Sequence, residues 1–209
     1  MPKLEALSGM VLSHGTLVSL LAGYKAPNHK IHTLLKEGRL IGLKRGLYAV
    51  APQENTQRVS LPLVANHLYG PSYVSLEFAL YRYGIIPEYV AVITSVCTKR
   101  GKQFDTPLGR FTYQPLPAAY YAVGICYVRE SDSLAYMMAS PEKALCDWLA
   151  LTPNLRIYSA KGLEVLLLED MRMDEDILCG LDIPLVAKIV ATEFRKQRLM
   201  HLVSFLESL

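Results

Sequence analysis

Residues 34–50, "LLKEGRLIGLKRGLYAV", decide how the first part of the chain is read. Leu34 and Leu35, with Ile31 before them, lie at i, i+3 and i+4, the spacing of one buried face of a helix, and Gly38 suits the stop of that helix. Two short apolar segments, "RLIGL" and "LYAV", then flank Lys44, Arg45 and Gly46, which reads as a tight β-hairpin. Two adjacent cations on a hairpin tip either keep that tip soluble or face a polyanion.

Towards the N-terminus, Leu17, Leu20 and Leu21 repeat the i, i+3, i+4 spacing, with Ser13 or Thr16 available as a cap and Gly23 as a stop. Pro27 suits the first turn of the next helix, where its missing N–H costs little. Two helices, a tight turn and a hairpin spell a winged helix-turn-helix over residues 1–56. The polar, turn-rich stretch Pro52–Pro62 serves as linker to a second domain, 57–209.

With Ile31, Leu34 and Leu35 turned inward, the second helix shows Asn28, His29, Lys30, His32, Thr33 and Lys36 to the outside, with no carboxylate until Glu37. Amide, imidazole and hydroxyl groups can read base edges, and ammonium groups hold phosphates. Asn28, His29 and Thr33 are the candidate base readers, and Lys44 and Arg45 on the wing would grip the backbone beside the groove. The same face would serve as an ordinary solvated surface if no duplex met it. His29 and His32 alone are too few ligands for a closed zinc site, so neither metal nor cofactor is expected.

Charge supports the DNA reading. Residues 1–50 hold seven basic side chains against Glu5 and Glu37, whereas 111–183 hold five basic and eleven acidic ones. The whole chain of 209 residues carries a net +3 and is 51% hydrophobic, enough apolar material for one large or two modest domains and no mark of disorder. No apolar run approaches the roughly 18–20 residues of a membrane span, and the N-terminus lacks the pattern of a secretory signal. Cys97, Cys126, Cys146 and Cys179 are scattered without a CxxC pair, which suits buried free thiols and a cytoplasmic protein.

The body reads as α+β. "SLEFALYRYG" is an apolar-striped helix, "YVAVITSV" a buried strand, "FTYQPL", "YAVGICYV" and "LAYMMA" further strands in a mainly antiparallel sheet, and "ASPEKALCDWLAL" a helix capped by Ser140. "AKGLEVLLLED" forms another helix, and Pro184–Leu209 a long amphipathic one with Arg195, Lys196 and Arg198 midway. "TKRGKQFDTPLGR" is a basic loop whose Lys99, Arg100 and Lys102 are candidates for a secondary nucleic-acid or partner contact. Glu142, Lys143 and Asp147 mix acids with a lysine, as a nuclease would. Glu142 and Lys143 stand about 100° apart on a helix, however, and no phosphate loop, GxSxG or HExxH occurs, so no enzyme is read here.

"GRLIGLKRGLYAV", "YVSLEFALYRYGIIPE", "TKRGKQFDTPLGRFTYQPL" and "ASPEKALCDWLAL", in this order over most of 13–151, resemble the AbiEi-type antitoxins of bacterial abortive-infection loci, the type IV toxin–antitoxin systems. The resemblance implies a DNA-binding autorepressor acting on its own operator. It implies a functional partner, a nucleotidyltransferase-like toxin, countered through the C-terminal domain without a stable direct complex, and it brings no catalytic motif. The acidic 111–183 stretch leaves open an alternative, direct docking of a partner protein. A homodimer is compatible with a repressor, although no dimer seam stands out.

Overall fold

The computed structural model describes residues 7–52, 58–132 and 134–209. The first unit runs β1 (Val11–Ser13), α1 (His14–Leu20), α2 (Pro27–Lys36), β2 (Leu40–Lys44) and β3 (Leu47–Val50). Ser13 caps α1, its hydroxyl accepting from the Thr16 N–H at 3.1 Å. Pro27 opens α2 and Gly38 closes it at φ +69°, as the sequence predicts. A strand not expected from sequence, β1, pairs with β3, and the antiparallel sheet has the order β1-β3-β2. Leu12, Leu17, Leu21, Ile31, Leu34, Leu40 and Val50 form this head's own core.

The hairpin does more than stand at the surface. Alternation along β3 sends Tyr48 and Val50 to the head core and Leu47 and Ala49 to the core of the body, where Leu43 joins them. A bulge between Gly42 and Lys44 makes Leu43 an extra residue. Strict alternation would turn Lys44 away from the body. The bulge keeps it on the same side as Leu43, because a bulge re-aims the side chains that follow it.

Of the linker expected over Pro52–Pro62, residues 53–57, and with them the expected boundary at 56/57, lie outside the described residues, while Leu61 and Pro62 already open a helix capped by Ser60. The body runs α3 (Leu61–Leu68), β4 (Ser72–Val74), α4 (Leu76–Arg82), β5 (Ile93–Cys97), β6 (Lys102–Thr106), β7 (Gly109–Pro115), α5 (Ala118–Tyr121), β8 (Ile125–Arg129) and β9 (Ala135–Ala139). It continues as α6 (Pro141–Leu151), α7 (Ala160–Glu164), which runs on into π-helical turns at Val165–Asp170, α8 (Glu175–Cys179), α9 (Ile183–Val190) and α10 (Lys196–Leu206). The chain is α+β, and its six-stranded sheet has the order β6-β7-β5-β4-β9-β8.

This sheet is mixed with an antiparallel majority: β5–β7 and β4–β9 are parallel, and the other three pairings antiparallel. β6 takes the outer edge as the hairpin partner of β7, which leaves β7 beside β5 in the same direction. The stretch read as a basic loop is therefore half strand. The long C-terminal helix is also two helices. Glu193 (φ 64°) and Arg195 (φ 53°) break it, and Phe194 between them packs on Tyr120 with ring centroids 4.9 Å apart. Burial of that ring offsets the two left-handed residues.

Helix α6 is packed by α4, α9 and α10 and faces β9 as well, so it is buried on every side. All four cysteines are free. Cys97 and Cys146 are buried as expected, but Cys126 is half-buried and Cys179 exposed. Among the described residues no helix is long and apolar enough to cross a membrane.

Candidate nucleic-acid interface

Two basic surfaces emerge, and they divide the expected site residues between them. The first is the outer face of α2. Its inner face is fixed by Ile31 and Leu34, both essentially without exposed surface. Asn28, His29, His32 and Lys36 are exposed, and Lys30 and Thr33 half-buried. Lys30 Nζ lies 5.9 Å from the Tyr24 ring centre. The Thr33 hydroxyl donates to the His29 carbonyl at 3.1 Å, so in this rotamer its proton is turned back onto its own helix. Ala26, the N-cap residue, supplies no side-chain acceptor, which leaves the first N–H groups of α2 pointing outward beside Asn28 and His29. Arg45 is exposed at the hairpin turn.

The second surface is the seam between the hairpin and the body, and here Lys44 meets Lys99 and Lys102. Lys44 Nζ donates to the Leu68 carbonyl and lies 5.9 Å from the Phe104 ring. Lys99 Nζ donates to the Gly70 carbonyl at 2.6 Å and stands over Tyr69 at 5.6 Å. Lys102 Nζ lies 5.5 Å from Tyr69 and 4.9 Å from Phe104. The loop that carries these lysines is held by Tyr69, whose hydroxyl donates to the Arg100 carbonyl at 3.2 Å, and by the Cys97 thiol on the Lys99 carbonyl, also at 3.2 Å. The Arg100 side chain is exposed.

Three ammonium groups thus sit on carbonyls and aromatic faces, and among the described residues none of the three is ion-paired to a carboxylate. The cost shows at Lys44: partial burial, and then Lys102 and Lys99, lower its hold on a proton. His67 is also pushed down, by the surface it lies on and then by Lys44. Cation–π contacts of this kind offset part of the repulsion. Lys44 therefore belongs to the seam. Tyr69, Phe104 and His67 escaped the sequence reading. The signal for Phe104 was present, since Lys102 and Phe104, two residues apart, share one face of a strand.

Glu142, Lys143 and Asp147 do not form an open site. Glu142 Oε1 accepts from the Asp182 N–H at 3.1 Å, on another side of α6. Lys143 and Asp147 do converge, Nζ to Oδ1 at 3.1 Å, with neither side chain exposed at all. The Lys143 ammonium also donates to the Tyr120 carbonyl at 2.8 Å and lies 3.2 Å from the centre of the Tyr120 ring. Asp147 Oδ2 accepts from Ser75 at 2.6 Å and Tyr73 at 3.1 Å. Burial raises the Asp147 carboxyl against the pull of Lys143, Ser75 and Tyr73, and burial lowers Lys143. A group sealed from solvent cannot receive a substrate, so this cluster acts on the fold.

Among the described residues no His, Cys, Asp and Glu side chains gather in threes as a metal would need. The chain matches no model of a known protein family and no curated protein.

Proposed function

We propose that the protein is a double-stranded-DNA-binding transcriptional regulator whose head works as a winged helix-turn-helix. The observation that carries this reading is the outer face of α2: amide, imidazole and ammonium groups exposed side by side, with no acid before Glu37. α2 enters the major groove by its N-terminal end, Asn28 and His29 reading base edges and Lys30 and Lys36 holding phosphates. Arg45 contacts the neighbouring backbone. Thr33 reads a base only after its hydroxyl leaves the His29 carbonyl.

The AbiEi-type resemblance extends the proposal to a cytoplasmic autorepressor that serves as the antitoxin of a type IV system. The body would counter a nucleotidyltransferase-like toxin. Gel-shift of the purified chain on DNA from upstream of its own gene, against random competitor and over a salt series, tests the regulator reading. Specific retention, weakened in a Lys36→Ala/Arg45→Ala variant, is the expected result. Absence of retention at low salt would give the lead to direct docking on a partner protein, which co-purification with the neighbouring gene product would reveal.

A further inference from the structure

A groove of about 1040 Å³ runs between the segment Leu155–Tyr158 and the start of α10. Its charged lining is Arg156, Glu193, Arg195, Lys196 and Arg198, with His201 beside them. Glu193 is engaged by Lys196 at 2.7 Å, so among the described residues the three arginines keep their charge without a carboxylate opposite. Arg198 donates to the carbonyls of Leu149 at 2.7 Å, Thr152 at 3.3 Å and Leu155 at 2.8 Å, which pins one wall of the groove to the other. Burial, and then the nearby charge of Arg195, makes Arg198 a weaker base than usual. Arg195 itself holds left-handed backbone at φ 53°. The Arg156, Arg195 and Lys196 side chains are exposed, so their charge is open to an anion that enters the groove.

The second feature of the groove is aromatic. Tyr158 leaves 81% of its surface in solvent and Met200 51%, on a protein that buries most of its large rings. An exposed ring beside arginines offers a stacking face for a planar base next to phosphate partners. A duplex hides its base faces within the stack, whereas a single strand presents base and phosphate together. We infer that this groove binds single-stranded nucleic acid, the arginines on the phosphodiester chain and Tyr158 on a base. The site shares no residue with α2 or the seam and stands independently of the regulator reading.

Fluorescence anisotropy of the full chain with a labelled oligothymidylate of about twelve nucleotides, and with its oligouridylate counterpart, reads the site directly. Binding should weaken with salt. It should fall about tenfold in Tyr158→Ala, the effect of removing one stacked base, and further in Arg156→Ala/Arg195→Gly. The latter should melt at or above the parent temperature, because glycine takes the left-handed conformation freely. Asn28→Ala/Lys36→Ala/Arg45→Ala should leave this binding intact, and a duplex should not displace the probe. The two oligomers distinguish DNA from RNA as the source of the strand. The inference is overturned by failure of both probes to bind, by undiminished binding in the groove variants, or by loss of binding in the α2 variant. Equal displacement by inorganic tripolyphosphate with Tyr158→Ala unaffected would also overturn it, by showing an anion site only.

Discussion

Lys143 and Asp147 face each other at 3.1 Å across one turn of α6, and neither side chain reaches solvent. Desolvation of both charges is offset only because each has further partners: the Tyr120 carbonyl and ring for the ammonium, and Ser75 and Tyr73 for the carboxylate. Lys143→Met strands a buried carboxylate and should cost about 3–5 kcal/mol in urea unfolding. Lys143→Met/Asp147→Leu should recover much of that stability. A double variant no more stable than the single one would show that the stranded carboxylate is not what the single substitution costs.

Gly124 stands at φ +77°, and a Cβ built there would lie 2.8 Å from the Cβ of Lys143. Backbone strain and overlap with a side chain fixed at both ends act together. Gly124→Ala should therefore destabilise by about 2 kcal/mol or more, read as a lower melting temperature.

On the head, the charge and base-reading roles separate in one binding experiment. Lys36→Ala/Arg45→Ala should weaken binding to all duplexes about equally and make the log–log salt slope shallower by roughly 0.9 for each phosphate that is no longer neutralised. Asn28→Ala should change sequence preference at nearly constant salt slope. If it lowers affinity uniformly instead, another edge of α2 faces the bases.

His67 reports on the seam by NMR titration. Its folded midpoint lies below the ordinary 6.5, by burial first and by Lys44 second. Lys44→Ala should move the midpoint upward without restoring 6.5, since burial remains. The unfolded chain binds the His67 proton more readily than the folded one. This group's contribution to stability is therefore complete above about 6.5 and disappears as pH falls from there through the folded midpoint. An unchanged midpoint in Lys44→Ala would place the ammonium away from the ring.

Much of this fold was legible where spacing and punctuation agree. Ile31 and Leu34 with Pro27 and Gly38 define α2, and Ser140 caps α6, its hydroxyl accepting from the Lys143 N–H at 3.2 Å. β6 was not legible, because "KQFDT" has one apolar residue in five and becomes a strand through its pairing with β7. The break between α9 and α10 is equally silent, since the apolar periodicity continues through it and Tyr120, far away in sequence, decides the place of Phe194. The buried Lys143–Asp147 pair defeats the rule that sends charges to water, because α6 has no outer face. On the candidate site, residue types along α2 pointed to its exposed face. The turn of Lys44 into the seam depends on one bulged residue, for which a single sequence carries no mark.

β3 belongs to two cores at once, Tyr48 and Val50 on one side and Leu47 and Ala49 on the other. A strand shared in this way works as a common wall between two rooms. Excising either unit would expose the other's half of it, so the isolated head would carry a sticky apolar stripe and the isolated body an open hole. The chain should accordingly unfold both units in one cooperative transition. Any partner seated on the body would meet a head whose angle is already set.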